Sequence, residues 1–159
     1  MKRIALYCLL FTLLTSCKKE LSNVYEITPV NVRQSGEKGN LKSDIQFLSI
    51  AYSDLFGQQI STTELNSLLS GYNAVGDKTL IIDLIVRNLL VKPGIVKVDQ
   101  ATMQSDPEAF INITFKRFFI REPTEMEIWF FANLINENKQ FLPEDIYYAL
   151  MRAEEYRYY

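Results

Sequence analysis

The 159-residue chain contains no histidine, so it lacks the commonest metal ligand and the one side chain whose unperturbed pKa lies near neutrality. Most metalloenzyme and hydrolase chemistries fall with it. It has only two cysteines, Cys8 and Cys17, too few for a disulfide framework. Its six glycines are scattered and form no phosphate-cradling loop. There is no basic excess, with 17 Lys and Arg against 19 Asp and Glu, which argues against a nucleic-acid partner that would need phosphates neutralised. What remains is 48% hydrophobic and 13% aromatic. That is the profile of one compact domain or two very small ones, and excludes a disordered, collagen-like or polytopic membrane chain.

At the N-terminus, Lys2 and Arg3 precede an uncharged run from Ile4 to Leu14, followed by Thr15-Ser16 and Cys17. This is the layout of a secretory signal peptide. The run is about half of the ~20 residues that span a bilayer, so a retained transmembrane helix is the weaker reading. Leu14-Thr15-Ser16-Cys17 resembles the lipobox of bacterial lipoproteins. The resemblance implies removal of residues 1–16, a thioether-linked diacylglycerol on Cys17 and acylation of its new amine; the alternative is an ordinary signal peptide with an incidental cysteine.

Cleavage there also removes Cys8, Lys2 and Arg3, leaving 15 basic against 19 acidic residues and no thiol for a disulfide. Several acyl chains anchor a protein stably where one is marginal. By resemblance to lipoprotein sorting rules, Lys18 in place of an aspartate implies the outer membrane. Lys18-Lys19-Glu20 lacks the acidic cluster of surface export, which favours the periplasmic face over the cell surface. Residues 17–40 carry Pro29, Gly36 and Gly39 and a short alternation at Val24, Ile27, Val30 and Val32. They read as the lipidated cysteine and a tether.

From residue 41 the chain repeats. Phe47, Leu48, Ile50, Tyr52, Leu55 and Phe56 fall on Phe110, Ile111, Ile113, Phe115, Phe118 and Phe119 at a constant offset of 63, each set with the three-and-four spacing of an amphipathic helix. At the same offset Ser61 and Glu64 fall on Thr124 and Glu127, each pair a capping box before a second apolar run. That run is Leu65, Leu68 and Tyr72, then Ile128, Phe131 and Ile135. After one extra residue, Ile82, Ile85, Val86 and Leu89 answer Ile146, Ala149, Leu150 and Ala153 as a third helix. Gly71 to Asp77 and Asn136 to Gln140 read as loops.

The expected architecture is all-α: two tandem three-helix units, residues 41–92 and 106–159, packed as one small domain. Lys92-Pro93-Gly94 stops the first unit, a linker covers 93–105, and Asp106-Pro107 caps the second. The segment TLIIDLIVRNLLV is apolar on nearly every face, which places it centrally against the second unit.

The second unit resembles the helical domains of phycobilisome linkers and related domains in secreted bacterial proteins. The resemblance rests on the corner of Arg121, Pro123, Thr124 and Glu127 and on the ending of Ala153, Glu154, Glu155 and Tyr156. The first unit departs from it, with Ile60 where the proline would stand and no Glu-Tyr ending. What the resemblance implies is an interaction or scaffolding module. It implies no chromophore or haem, since neither an attachment cysteine nor a Cys-x-x-Cys-His follows residue 17.

No residue set points to catalysis, cofactor or metal. Glu64 and Glu127 are explained by capping, Glu154 and Glu155 by a solvated helix end, and Asp83 with Arg87 by an i,i+4 ion pair. Aromatic residues crowd the C-terminus instead. Tyr147, Tyr148 and Tyr158 are read as outward, with Ile146, Ala149, Leu150 and Ala153 inward, and Trp129 on the preceding helix. Such rings serve either as interface anchors or as the edge of the core. The functional expectation is a membrane-anchored, non-catalytic subunit of an envelope assembly that binds an envelope protein through Trp129, Tyr147, Tyr148 and Tyr158. A glycan-binding or glycan-processing accessory lipoprotein is the alternative.

Overall fold

The computed structural model describes residues 39–158. The expected signal segment, Cys17 and nearly all of the tether lie outside the described residues. Those described form seven α-helices and no strand: α1 (Asp44–Phe56), α2 (Thr62–Ala74), α3 (Lys78–Leu90), α4 (Gln100–Ser105), α5 (Pro107–Phe119), α6 (Glu125–Glu137) and α7 (Pro143–Arg152), closed by a 3₁₀ turn, Glu154–Arg157. The fold is all-α. No helix among them is long and apolar enough to cross a membrane.

Helix starts are fixed by side-chain caps. Ser43, Ser61, Asp77, Asp99, Asp106 and Thr124 each accept the N–H of the residue three positions on, satisfying a donor that has no partner within the helix. Ser43–Gln46 and Thr124–Glu127 are reciprocal boxes. α7 begins differently, at Pro143, with the Asp145 carboxylate reaching back 2.8 Å to the Leu142 N–H. α1 and α5 start 63 residues apart, as do α2 and α6, whereas α3 and α7 start 65 apart.

Four expectations need correction. Helix α2 continues through Gly71 to Ala74, because a helix loses little at one glycine when Tyr72 beside it is 1% exposed. The loop is thus only residues 75–77. Similarly, α6 runs to Glu137. The linker is not bare, since residues 100–105 form α4 and bury Met103 completely. Its start is set by Asp99, which accepts the Thr102 N–H at 2.9 Å and hydroxyl at 2.8 Å and is held below the usual carboxylate range chiefly by that N–H. Finally, α3 packs against α7 as expected but is not enclosed, as Leu80 and Leu84 are half exposed and Val91 is open to solvent.

The core lies between α1, α3, α5 and α7, with Phe47, Leu55, Val86, Leu89, Ile111, Phe118, Leu150 and Met151 at or near zero exposure. The outer helices α2 and α6 each bury one side chain fully, Tyr72 and Ile135. Tyr156 of the closing turn is completely buried, edge-on to both Phe47 and Phe118. Its hydroxyl donates to Asp54 at 2.7 Å, and burial pushes its pKa well above the ordinary phenol value. Lys42 sits 4.1 Å over the Tyr156 ring and donates to the Tyr156 carbonyl at 2.6 Å. Beside it Leu41 and Tyr158 form an isolated antiparallel bridge, so the chain enters the domain where it ends.

Candidate interaction surface

The four aromatic residues singled out in the sequence fall in four different environments. Tyr147 is buried, 2% exposed, with its ring against Phe110 and Phe118 of α5 and Arg117 5.6 Å over it. It is not an outward residue. The buried stripe of α7 is Pro143, Ile146, Tyr147, Leu150 and Met151, one residue round from the expected one, which leaves Ala149 exposed. The larger apolar area of Tyr147 and Met151 outweighs that of the two alanines.

Tyr148 is half-buried at the joint between α3 and α7. Its hydroxyl donates to Asp83 and accepts from Arg87 at 2.6 Å, while the Arg87 guanidinium lies 4.5 Å over its ring. Arg87 also closes the expected i,i+4 pair with Asp83 at 2.9 Å, and Arg152 approaches Asp83 at 3.4 Å. Together they hold the Asp83 carboxyl below its usual range, the Tyr148 hydroxyl first and Arg87 next. Tyr158 is half-buried in the bridge with Leu41. Only Trp129 stands clear, 63% exposed.

Trp129 has company that sequence reasoning missed. Met126 and Phe130, on the same helix, are 71% and 54% exposed. At about 100° per residue, Met126, Trp129, Phe130, Asn133 and Glu137 share one sector of about 100°, opposite Ile128, Phe131 and Ile135, which face the domain. A cavity of about 320 Å³ opens beside Glu125, Met126 and Trp129. The signal was in the repeat: at the offset of 63 the three residues fall on Thr63, Asn66 and Ser67. The same helix position therefore folds with polar residues, and packing does not account for the apolar ones.

A clamp fixes the start of α6. Arg121 makes paired hydrogen bonds to Glu127 at 2.7 and 2.9 Å and to Glu155 at 2.7 Å each, its guanidinium lying over Phe115 and Phe119. Such forked geometry is the strongest form of ion pair. Arg121 lowers the Glu127 carboxyl to about 2, while the two carboxylates raise the guanidinium pKa further. Glu155 is thus not a solvated helix end. The corner and ending residues of the phycobilisome-linker resemblance, Arg121, Thr124, Glu127 and Glu155, meet in this one cluster. In the first unit Ser61 accepts the Glu64 N–H at 3.2 Å, but the Glu64 carboxylate turns to Lys92 at the end of α3. The same corner is tied by one cation of the opposite placement.

A second cleft of about 440 Å³ lies between the end of α6 and α7, lined by Leu134, Asn138, Phe141, Asp145, Tyr148 and Ala149 among others. No group of three or more acidic or cysteine side chains among the described residues could hold a metal ion. Comparison with family models, with curated proteins and with solved structures finds no match.

Proposed function

We propose that the chain is a lipoprotein anchored through Cys17 to the outer membrane, on its periplasmic face, and acts as a non-catalytic interaction subunit of an envelope assembly. The observation that carries this reading is the exposed triad of Met126, Trp129 and Phe130 where the corresponding helix has Thr63, Asn66 and Ser67. Large aromatic and methionine side chains clustered in the open are what partner surfaces concentrate. The clamp at Arg121 supports it by holding α6 rigidly at its N-terminal end, which limits the entropy lost on docking.

The anchor is tested by Cys17→Ser, which should leave an uncleaved or mislocalised precursor; unchanged membrane fractionation would count against lipidation. The partner surface is tested by capture of the lipidated protein from its envelope in mild detergent. Grafting α2 residues onto α6, as Met126→Thr, Trp129→Asn and Phe130→Ser together, should abolish recovery of a stoichiometric partner. Recovery that survives the graft refutes the surface.

A second reading, a glycan-binding accessory lipoprotein, is favoured by the α6–α7 cleft, where Phe141 and Tyr148 stand beside Asn138, Gln140 and Asp145. It predicts glycan-array binding lost in Phe141→Ala and kept in the α6 graft.

A further inference from the structure

Resting on the reading of α6 as a partner surface and deepening it, we infer that the outward face of α6 receives a cationic amphipathic helix of another protein. From Glu122 to Asn138 there is no Lys or Arg and there are four glutamates. Glu122 pairs with Lys116 at 2.7 Å and Glu127 with Arg121. Glu125 and Glu137 are exposed and make no ion pair among the described residues. They stand twelve residues apart on α6, about 18 Å at 1.5 Å per residue, and bracket the apolar residues Met126, Trp129 and Phe130. Apolar anchors between two unneutralised acids call for apolar anchors between two cations.

The same charges disfavour the other occupants. A second copy would set α6 against α6, and in either direction Glu125 and Glu137 meet only glutamates, a like-charge contact that opposes docking. An anionic bilayer surface would be repelled for the same reason. Met126, Trp129 and Phe130 lie within little more than one turn of α6, a compact apolar patch that suits a helix laid across a helix.

The test uses the full lipidated chain in phosphatidylcholine vesicles, titrated with two labelled helical peptides of about 14 residues that share one leucine stripe and carry either Lys or Glu at both ends. The Lys-flanked peptide is expected to bind roughly tenfold tighter than its Glu-flanked twin, with the order reversed by Glu125→Lys plus Glu137→Lys. The α6 graft, whose residues already fold in α2, should remove the difference and subtract any binding to lipid. Equal affinities, an order that survives charge reversal, undiminished binding to the graft, or a dimer of the chain lost in Trp129→Asn would each overturn the inference. In the envelope capture, a partner lost on grafting but indifferent to charge reversal overturns the cationic helix and leaves the interaction subunit standing. If grafting loses no partner, both fall.

Discussion

Gly57 and Ile120 occupy one position of the repeated unit, 63 residues apart, and both are left-handed. Each closes its helix with φ of 65° and 56°, donating its N–H to Ser53 and Lys116, which are also 63 apart. Glycine takes this conformation without steric cost, whereas a Cβ there costs roughly 1–2 kcal/mol, and a β-branched residue is a clear outlier. Ile120 is 80% exposed, so its side chain recovers little by packing.

Ile120→Gly should therefore stabilise the domain by about 1 kcal/mol and raise Tm by roughly 3–5 °C. Gly57→Ile should destabilise it by at least as much, because its φ of 65° strains a β-branched side chain whatever the space around it. Thermal unfolding of the two variants checks both signs; an Ile120→Gly chain less stable than the parent would refute the argument.

The Arg121 clamp makes stability depend on acid. Glu127 has a folded pKa lowered to about 2 from 4.5, so its contribution is fully present above about pH 4.5 and is lost as pH falls towards 2. Allowing for its 30% exposure, we expect about 1–2 kcal/mol to disappear over that window. Urea unfolding at stepped pH should lose most of this slope in Arg121→Ala, which leaves two carboxylates facing each other. An unchanged slope would show that the pairing does not matter.

The neighbouring tyrosines of α7 should differ in how much stability they carry. Tyr147→Ala empties a site between Phe110 and Phe118 and should cost about 3–5 kcal/mol. Tyr148→Phe keeps the ring and removes only its hydrogen bonds to Asp83 and Arg87, so about 1 kcal/mol should go. Denaturation midpoints separate them. Loss of binding in Tyr147→Ala would accordingly report unfolding, not an interface.

Tyr156 is the third case. Tyr156→Phe should cost about 1 kcal/mol through the bond to Asp54, and Tyr156→Ala about 3–5 kcal/mol through the cavity between Phe47 and Phe118. Similar midpoints for the two would place the tail outside the core and contradict the structure.

Local signals explain which parts of this fold could be read from sequence. Ser61, Asp106 and Thr124 mark helix starts by chemistry confined to four residues, and those starts stand where expected. α4 was missed because its six residues bury a single side chain, Met103, too few for any periodicity. The face of α7 was misplaced because PEDIYYALMR offers two adjacent stripes; only the rings of α5, distant in sequence, choose between them. The partnership of Arg121 with Glu155 was invisible for the same reason, being set 34 residues apart by the packing of the closing 3₁₀ turn against α5. Trp129 was legible as an unusual residue, but Met126 and Phe130 became meaningful only when the structure showed them open and the repeat showed them dispensable.

The bridge of Leu41 with Tyr158 gives the domain a mechanical character. Tension applied to the chain before residue 39 does not run first into α1. It is shared with the C-terminal turn through Lys42, whose backbone N–H holds the Arg157 carbonyl at 2.8 Å and whose ammonium holds that of Tyr156. The two ends of the described domain are thus gripped at one knot, so that a load on either is shared with the packing that encloses Tyr156.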